Sequence, residues 1–248
     1  MMLFDPNILF FLFFIALLTG FVKTGLPALG GFISVLMVIV FPPKDALGIT
    51  LFYLLAGDLM AVSFYWRQAD MIELRRLLPM IFIGVGSGIL VLKFVNNDVL
   101  GLIIGIMIVF FVSLEPFRAR VTEWAMRRIF WVRNLSGWLA GLTTTVGNAA
   151  GPVLTLYFLL LKLDKHSFTG TAALFFLTVN VTKLPLYGAI GIFKDYYLWS
   201  VLVTIPFVFV GGFFGRRFLD WIPQQRFTQA ILFFTGLAGV ILIIRYFL

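Results

Sequence analysis

The chain has 248 residues, of which 61% are hydrophobic and only 12% are charged. Soluble domains average about 25% charged residues, so the composition excludes an ordinary soluble domain and predicts an all-α polytopic membrane protein. The net charge of +8 falls mainly in predicted loops, which the positive-inside rule explains better than nucleic-acid binding does.

Enzymatic chemistry is not indicated by the residue inventory. The chain contains no cysteine and a single histidine, His166, which excludes disulfides, thiolate metal sites and histidine clusters around zinc or haem. Membrane hydrolases and metalloenzymes require a nucleophile–base pair or clustered histidines and carboxylates. We therefore expect no enzyme activity, no catalytic residues, no metal and no cofactor. The N-terminus lacks the basic stretch of a cleavable signal peptide, so we expect it to remain in the mature chain.

The first predicted element is a broken hairpin. An apolar run at residues 7–22 is interrupted by the sequence GFVKTGLPALGG, and the apolar character resumes over residues 28–41. At 1.5 Å per residue this second piece is only roughly 21 Å long, whereas a bilayer core is about 30 Å thick. The pair predicts a helical hairpin with its tip at the interruption. Full-length helices are predicted to follow at residues 45–66, 77–93 and 98–115.

The second half of the chain repeats this order. An arginine-rich linker at residues 116–133 carries Trp124 and Trp131, which are typical of a helix lying at the membrane interface. A second hairpin is predicted from residues 134–146 and 151–162, with the sequence GLTTTVGNAAGP at its tip. Helices are then predicted at residues 167–190, 196–215 and 225–245. We divide the chain into a first transmembrane repeat (1–115), a basic cytoplasmic linker (116–133) and a second transmembrane repeat (134–248).

The two interruptions correspond to each other in sequence. We call residues 20–31 the first motif and residues 141–152 the second motif. Gly20, Thr24, Ala28 and Gly30 correspond to Gly141, Thr145, Ala149 and Gly151, and Pro79, Gly84 and Gly88 correspond to Pro206, Gly211 and Gly215. Irregular backbone survives at membrane depth only where protein or a polar cavity satisfies it, so paired interruptions indicate a transporter's substrate site. The alternative is that the glycines only allow close helix packing, which does not explain Lys23 or Asn148.

Charge predicts the orientation of the chain. The arginine-rich linker and the basic loop at residues 67–76 are expected in the cytoplasm. If residues 134–162 crossed the membrane once, the predicted loop with Arg216, Arg217 and Arg226 would lie outside, against the positive-inside rule. If they return as a hairpin, this loop lies inside. The hairpin predicts two inverted repeats, each with a re-entrant hairpin plus three transmembrane helices, about eight to ten membrane segments in total.

The motif residues form an inventory suited to an anion. Helices that begin near Ala28 and Ala149 would direct unpaired N–H groups and positive dipole ends into a shared cavity near the midplane. Lys23 adds a positive charge, unless its side chain snorkels to the interface. The candidate substrate-binding residues of the motifs are Lys23, Thr24, Gly25, Ala28, Thr143, Thr144, Thr145, Gly147 and Asn148.

Two charged residues and one asparagine are further candidates within the predicted membrane helices outside the motifs. Charges at such positions are costly and typically functional. Asp58 and Lys183 either pair as a structural salt bridge, or Asp58 carries a coupling proton while Lys183 contacts the anion. Asn180 is either a further substrate-binding residue or an interhelical hydrogen-bonding group.

Both halves resemble one known family. The first motif followed by the sequence PPKDA at residues 42–46, and the sequence GLTTTVGNAAGPVLTLYFLL followed by Phe168 and Thr171, are similar to the two repeats of the TauE/SafE family. The resemblance spans essentially the whole chain. It implies a multi-pass transporter of the inner (plasma) membrane that exports sulfite or organosulfonates such as sulfoacetate.

We therefore expect a secondary transporter, with a small oxyanion as substrate, the lipid bilayer as surroundings and H⁺ as an optional coupling ion. An interior-negative potential favours anion exit by about 2.3 kcal/mol per charge per 100 mV. The alternatives are an anion importer or channel on the same scaffold, and a non-transporting membrane scaffold subunit. The oligomeric state does not follow from the sequence.

Overall fold

The computed structural model describes residues 6–94 and 127–247, together with scattered positions between 96 and 113. All regular elements in this part of the chain are helical, in agreement with the predicted class. The helices are α1 (Pro6–Gly25), α2 (Gly30–Val40), α3 (Pro43–Tyr65), α4 (Met71–Phe94), α5 (Ile129–Gly147), α6 (Gly151–Leu160), α7 (Lys165–Ala189), α8 (Asp195–Thr204), α9 (Pro206–Trp221) and α10 (Gln224–Phe247). The predicted helix at 98–115 and most of the predicted linker lie outside the described residues.

Several helices are long and apolar enough to cross a membrane. Within the described residues these are Pro6–Gly25, Pro43–Gln68, Met71–Phe94 and Lys165–Ala189, and the bent pair of α8 and α9 makes a fifth if it counts as one span. The protein is therefore a polytopic membrane protein, as its composition predicts.

Three helix boundaries differ from the sequence predictions. The helix predicted at 196–215 is two helices bent by 41°, because Pro206 has no N–H group to continue the hydrogen-bond pattern. Arg216 and Arg217, predicted in a loop, lie on α9, and only residues 222–223 separate α9 from α10. Helix α5 begins at Ile129, before the predicted start at residue 134.

Both motifs lie at the tips of antiparallel helical hairpins. Phe11 in the first half of α1 contacts Phe41 just beyond the end of α2, with the ring centroids 6.5 Å apart. In the second hairpin, Arg133 near the start of α5 donates from Nε to the hydroxyl of Tyr157 in α6 at 3.2 Å. Each chain segment therefore turns back on itself at its motif.

Local chemistry ends the first helix of each hairpin. Helix α1 ends at Gly25, just before Pro27, whose missing N–H group interrupts the α-helical pattern, and a 3₁₀ turn follows at Pro27–Leu29. Helix α5 ends at Gly147 because Asn148 adopts the left-handed conformation with φ of 53°, which asparagine tolerates better than most residues. The N–H group of Ala149 then donates to the carbonyl oxygen of Thr143 at 3.2 Å.

The packing of one half is repeated in the other. Helix α1 packs along α9, and helix α5 packs along α4. A Cβ atom on Gly20 would collide with the carbonyl oxygen of Val208, and one on Gly141 would collide with that of Ile81. Since Gly20 corresponds to Gly141 and the Pro79–Pro206 correspondence aligns Ile81 with Val208, the same close backbone contact occurs twice.

One end of the helix bundle, which we call the basic end, gathers most of the cationic side chains. Glu73 near the start of α4 pairs with Arg133 near the start of α5 at 3.0 Å. Lys165 at the start of α7 donates to the carbonyl oxygens of Leu219 and Ile222, at 2.7 and 2.8 Å. Because α6 returns alongside α5, these helix ends share one side. The basic residues at or near this end are Arg67, Arg75, Arg76, Arg127, Arg128, Arg133, Lys162, Lys165, Arg216, Arg217 and Arg226.

The two hairpins approach each other from opposite ends of the bundle. The second hairpin opens at the basic end, where Arg133 lies. Phe13 of α1 contacts Phe207 at the start of α9, with ring centroids 4.5 Å apart, and Gly25 at the end of α1 packs against Gly215. Helix α1 therefore runs parallel to α9 towards the basic end, so the first hairpin opens at the other end.

Candidate functional site

The tips of the two hairpins touch. A Cβ atom added to Gly30 would lie 3.5 Å from the carbonyl oxygen of Asn148, and one added to Gly31 would lie 3.4 Å from the Cα of Ala149. Helices α3 and α7, which pack on each other, pass beside this contact. The fold thus brings together two motifs that are more than a hundred positions apart in the chain.

Five polar side chains beside the touching tips form what we call the central cluster. Its members are Lys23, Asp58, Asn148, Asn180 and Lys183. All of them are at most 2% exposed, although three carry ionisable groups. They come from α1, α3, the second motif and α7, so the cluster exists only where these elements meet.

Asp58 holds the centre of the cluster. Its Oδ1 lies 2.6 Å from the ammonium group of Lys23, and its Oδ2 accepts a hydrogen bond of 2.6 Å from the amide of Asn180. Of the two alternatives for Asp58 and Lys183, the structural salt bridge is therefore wrong, because Asn180, about one helical turn before Lys183, is the α7 residue that donates to the carboxylate. The carboxylate is left to Lys23.

Lys23 does not snorkel to the membrane interface, and this alternative is also wrong. Its side chain is 1% exposed, and its ammonium group lies 3.9 Å from the ring centroid of Phe176. The end of α1 packs against Gly215 of α9 through Gly25, and the side chain of Lys23 lies against Gly57 of α3.

Lys183 binds the end of α5 instead of a carboxylate. Its ammonium group donates to the side-chain oxygen of Asn148 at 2.6 Å and to the carbonyl oxygen of Thr144 at 3.1 Å. The carbonyl oxygen of Thr144 also accepts from the N–H group of Asn148 at 2.9 Å, and its second lone pair serves Lys183. One turn further along α7, the hydroxyl of Tyr187 donates to the carbonyl oxygen of Thr145.

Several polar atoms of the cluster have unused hydrogen-bonding capacity. Among the described residues, the side-chain amide nitrogen of Asn148 and the side-chain oxygen of Asn180 find no hydrogen-bond partner. The ammonium group of Lys23 contacts Asp58 at ion-pair distance without a well-directed hydrogen bond. Buried polar groups are normally satisfied, so these atoms are available to ordered water or to a ligand.

The predicted threonines contribute less directly. The hydroxyl of Thr24 donates to the carbonyl oxygen of Gly212 at 2.8 Å, and that of Thr145 donates to Gly141 at 2.8 Å. Thr143 likewise donates to Leu139 at 2.7 Å. A hydroxyl has a single hydrogen, so in this structure these side chains keep only acceptor lone pairs for a ligand.

The remaining predicted residues of the motifs shape the backbone. Gly25 allows the contact with α9, Gly147 is the last residue of α5, and Thr144 contributes its carbonyl oxygen. Ala28 lies in the 3₁₀ turn, and its side chain is outside the described part of the structure. The cavity expected between the motifs stays a prediction. A separate surface cleft lies on α9 beside Arg216, Arg217 and Asp220.

A second, partly buried ionic network escaped the sequence analysis. Glu73 accepts hydrogen bonds from Arg133, Arg76 and the hydroxyl of Tyr157, at 3.0, 2.9 and 2.7 Å. It ties both arms of the second hairpin to α4 at the basic end. The sequence analysis placed Glu73 in a loop. The available signal was a carboxylate beside two arginines, about one helical turn before the apolar stretch of α4 begins at Leu77.

Comparison with known proteins identifies the family. The sequence profile described as Sulfite exporter TauE/SafE matches residues 12–242, which include both motifs and every member of the central cluster. No curated protein and no solved structure matches the chain. Members of this family are membrane transporters and not enzymes. The chain therefore belongs to the sulfite exporter TauE/SafE family and is a multi-pass membrane transporter of the anion-exporter type.

Proposed function

We propose that the protein exports a small oxyanion, sulfite or an organosulfonate such as sulfoacetate, and binds it at the central cluster. The observation that carries this proposal is the charge of the cluster. It buries two lysines and one carboxylate, and the carboxylate is already paired with Lys23. A buried charge without a counter-charge is costly, and an anion beside Lys183 would supply the missing charge.

The cluster also offers the donors that an oxyanion requires. Lys183 currently donates to two neutral oxygens, and an anion would attract the ammonium group more strongly because the two groups carry full opposite charges. The unpartnered amide nitrogen of Asn148 adds a neutral donor. Helix α6 begins at Gly151, directly after the second motif, and its positive dipole end adds to the attraction.

The arrangement of the hairpins supports an alternating-access mechanism. Hairpins that open at opposite ends and repeat the same glycine contacts are what two inverted repeats would produce, here residues 1–115 and 134–248 joined by the linker at 116–133. In this proposal the touching tips lie near the membrane midplane. Movement of one hairpin against the other would expose the cluster to each side in turn.

The basic end would face the cytoplasm of a cell whose inner (plasma) membrane holds the protein. Its arginines would raise the local concentration of anions at the entrance. The interior-negative potential then favours exit of a bound anion, so a singly charged substrate leaves without a coupling ion as long as its concentration gradient opposes exit by less than the potential favours it. Import against the same potential would require coupling to a cation. Asp58 is the buried carboxylate of the cluster and would be the group that binds this cation.

The decisive experiment measures efflux of sulfite and sulfoacetate from proteoliposomes, together with thermal stabilisation of the purified protein by each anion. Taurine, thiosulfate, sulfate and carboxylates complete the ligand panel. Lys183→Gln should lower anion affinity and efflux at least about tenfold, since a buried ion pair is lost. Lys194→Gln removes an exposed lysine far from the cluster and should leave both unchanged. Efflux by Lys183→Gln at the wild-type rate would overturn the proposal.

A further inference from the structure

Asp58 competes with any anion for the cations of the cluster. Asp58 is fixed on α3, and its carboxylate already forms an ion pair with Lys23 at 2.6 Å. Lys183 on α7 interacts electrostatically with both Lys23 and Asp58. A substrate anion therefore enters a site that contains a covalently attached anion. The carboxylate takes up one of the two positive charges before any substrate arrives.

The charge count limits what the site accepts. With both lysines protonated and Asp58 ionised, these buried groups leave one positive charge in excess. A monoanion brings the buried cluster to neutrality. A dianion leaves one buried negative charge in excess, which is unfavourable where water is excluded. That excess disappears if the carboxylate of Asp58 takes up a proton.

We infer that Asp58 is a tethered counter-ion that restricts the site to one unit of negative charge, so that a monoanion binds directly and a dianion binds only together with a proton on Asp58. This inference rests on the proposed function, because it concerns the same anion site. It makes Asp58 the residue that selects the substrate by charge, and it makes hydrogensulfite and sulfite plus one proton equivalent cargoes.

Asn180 is equipped to serve both protonation states of Asp58. Its amide nitrogen donates to the ionised carboxylate at 2.6 Å, while its amide oxygen has no partner among the described residues. A protonated carboxyl group carries an O–H donor, which the amide oxygen could accept after rotation of the amide group. The side chain that donates to the ionised carboxylate is thus also able to accept a hydrogen bond from its protonated form.

The other ionisable groups around Asp58 are few. Helix α1 presents Lys23 and α7 presents Lys183, while α2 contains no ionisable residue. Tyr197 of α8 donates its hydroxyl to the carbonyl oxygen of Ile192, and Arg216 of α9 lies over the ring of Phe64. Arg67 follows α3 beyond its end, and its side chain is exposed. Proton uptake linked to the anion therefore points to Asp58 or to the two lysines.

Titration calorimetry on the unmodified protein tests the inference first. Methanesulfonate is the monoanion probe and sulfate is the dianion probe, in chloride-free buffers with different heats of ionisation. Sulfate should bind with uptake of about one proton, and its affinity should fall as the pH rises, whereas methanesulfonate should bind with no net uptake. Sulfate binding without proton uptake would overturn the inference.

Substitution of Asp58 assigns the proton. In Asp58→Asn the tethered anion is gone, so sulfate should bind at least about tenfold more tightly and without proton uptake. Because Lys23 then lacks its counter-charge, both anions should raise the melting temperature of this variant more than that of the wild type. Asp58→Glu retains the carboxylate and should retain proton uptake.

Two contrary results have different meanings. If Asp58→Asn binds sulfate with wild-type affinity and proton uptake while Lys183→Gln loses binding of both probes, the tethered counter-ion is refuted and the anion site stands. If neither probe nor sulfite binds the wild-type protein, the proposed function itself fails.

Discussion

At the scale of single residues, the cluster depends on which lysine neutralises which charge. Lys23 and Asp58 are in contact at 2.6 Å, whereas Lys183 binds neutral oxygens of the second motif. A buried ion pair adds little net stability, but removal of one partner leaves an uncompensated charge in a water-excluded place. Neutralisation of Asp58 should therefore leave Lys23, and not Lys183, without its partner, and the stabilities of the corresponding variants should differ.

Lys23→Gln is expected to lower the stability of the protein by about 3–5 kcal/mol, because Asp58 remains buried without its partner. The double variant Lys23→Gln/Asp58→Asn should recover most of this loss. Thermal melting of the detergent-purified protein in anion-free buffer is the measurement. The matched control is Lys183→Gln/Asp58→Asn, which leaves Lys23 unpaired. Equal recovery in both double variants would show that Asp58 does not prefer Lys23.

At the scale of helices, glycines set the distance between each hairpin and the long helix beside it. Gly84 of α4 lies against the carbonyl oxygen of Trp138, and Gly211 of α9 lies against that of Leu17. These two contacts correspond in the two halves, like those of Gly20 and Gly141. Without a hydrophobic driving force between helices in lipid, such close backbone contact contributes to their association.

Gly84→Ala should destabilise the protein by about 1–3 kcal/mol, because the added methyl group collides with backbone that cannot move independently. Gly211→Ala should have a similar effect in the other half. Gly86→Ala is the matched control, since a Cβ atom there meets nothing within 4 Å and alanine is the better helix former. Melting temperatures of the three variants decide this, and a Gly84→Ala protein as stable as Gly86→Ala would contradict the packing argument.

At the scale of the whole molecule, the contacts at the basic end fix which helix ends share a side. Arg133 joins the start of α5 to α4, and Lys165 joins the start of α7 to the end of α9. The segment with Arg216, Arg217 and Arg226 therefore lies on the side of the second hairpin's open end. This geometry and the positive-inside rule agree on one orientation.

Single cysteines can report that orientation, because the chain contains none of its own. Gln68→Cys and Gln225→Cys, both exposed at the basic end, should be protected from an impermeant thiol reagent added outside intact cells. Lys44→Cys and Lys194→Cys, exposed at the other end, should be labelled. The result would contradict the proposed orientation if Gln225→Cys were labelled while Gln68→Cys was protected.

The sequence by itself determined the helical membrane class, the two interruptions and their correspondence. Hydropathy is a local property, and the effect of proline and glycine on a helix acts over a few residues, so apolar runs and their breaks are visible without a fold. The family resemblance followed from the same motifs. Helix ends were predicted less well where a turn of helix extends beyond the apolar run, as at Ile129 and Trp221.

Only the tertiary structure decided the pairing of polar groups. Lys23 and Asp58 lie on different helices, and so do Asp58 and Asn180, and nothing in their spacing states which side chain faces which. The repeat placed Asp58 and Lys183 at similar depth. On α7, however, Asn180 faces the carboxylate of Asp58, and Lys183, about one helical turn later, faces the second motif. Ion pairs and hydrogen bonds form over about 3 Å, so they are fixed by helix rotation and packing and not by the order of residues in the chain.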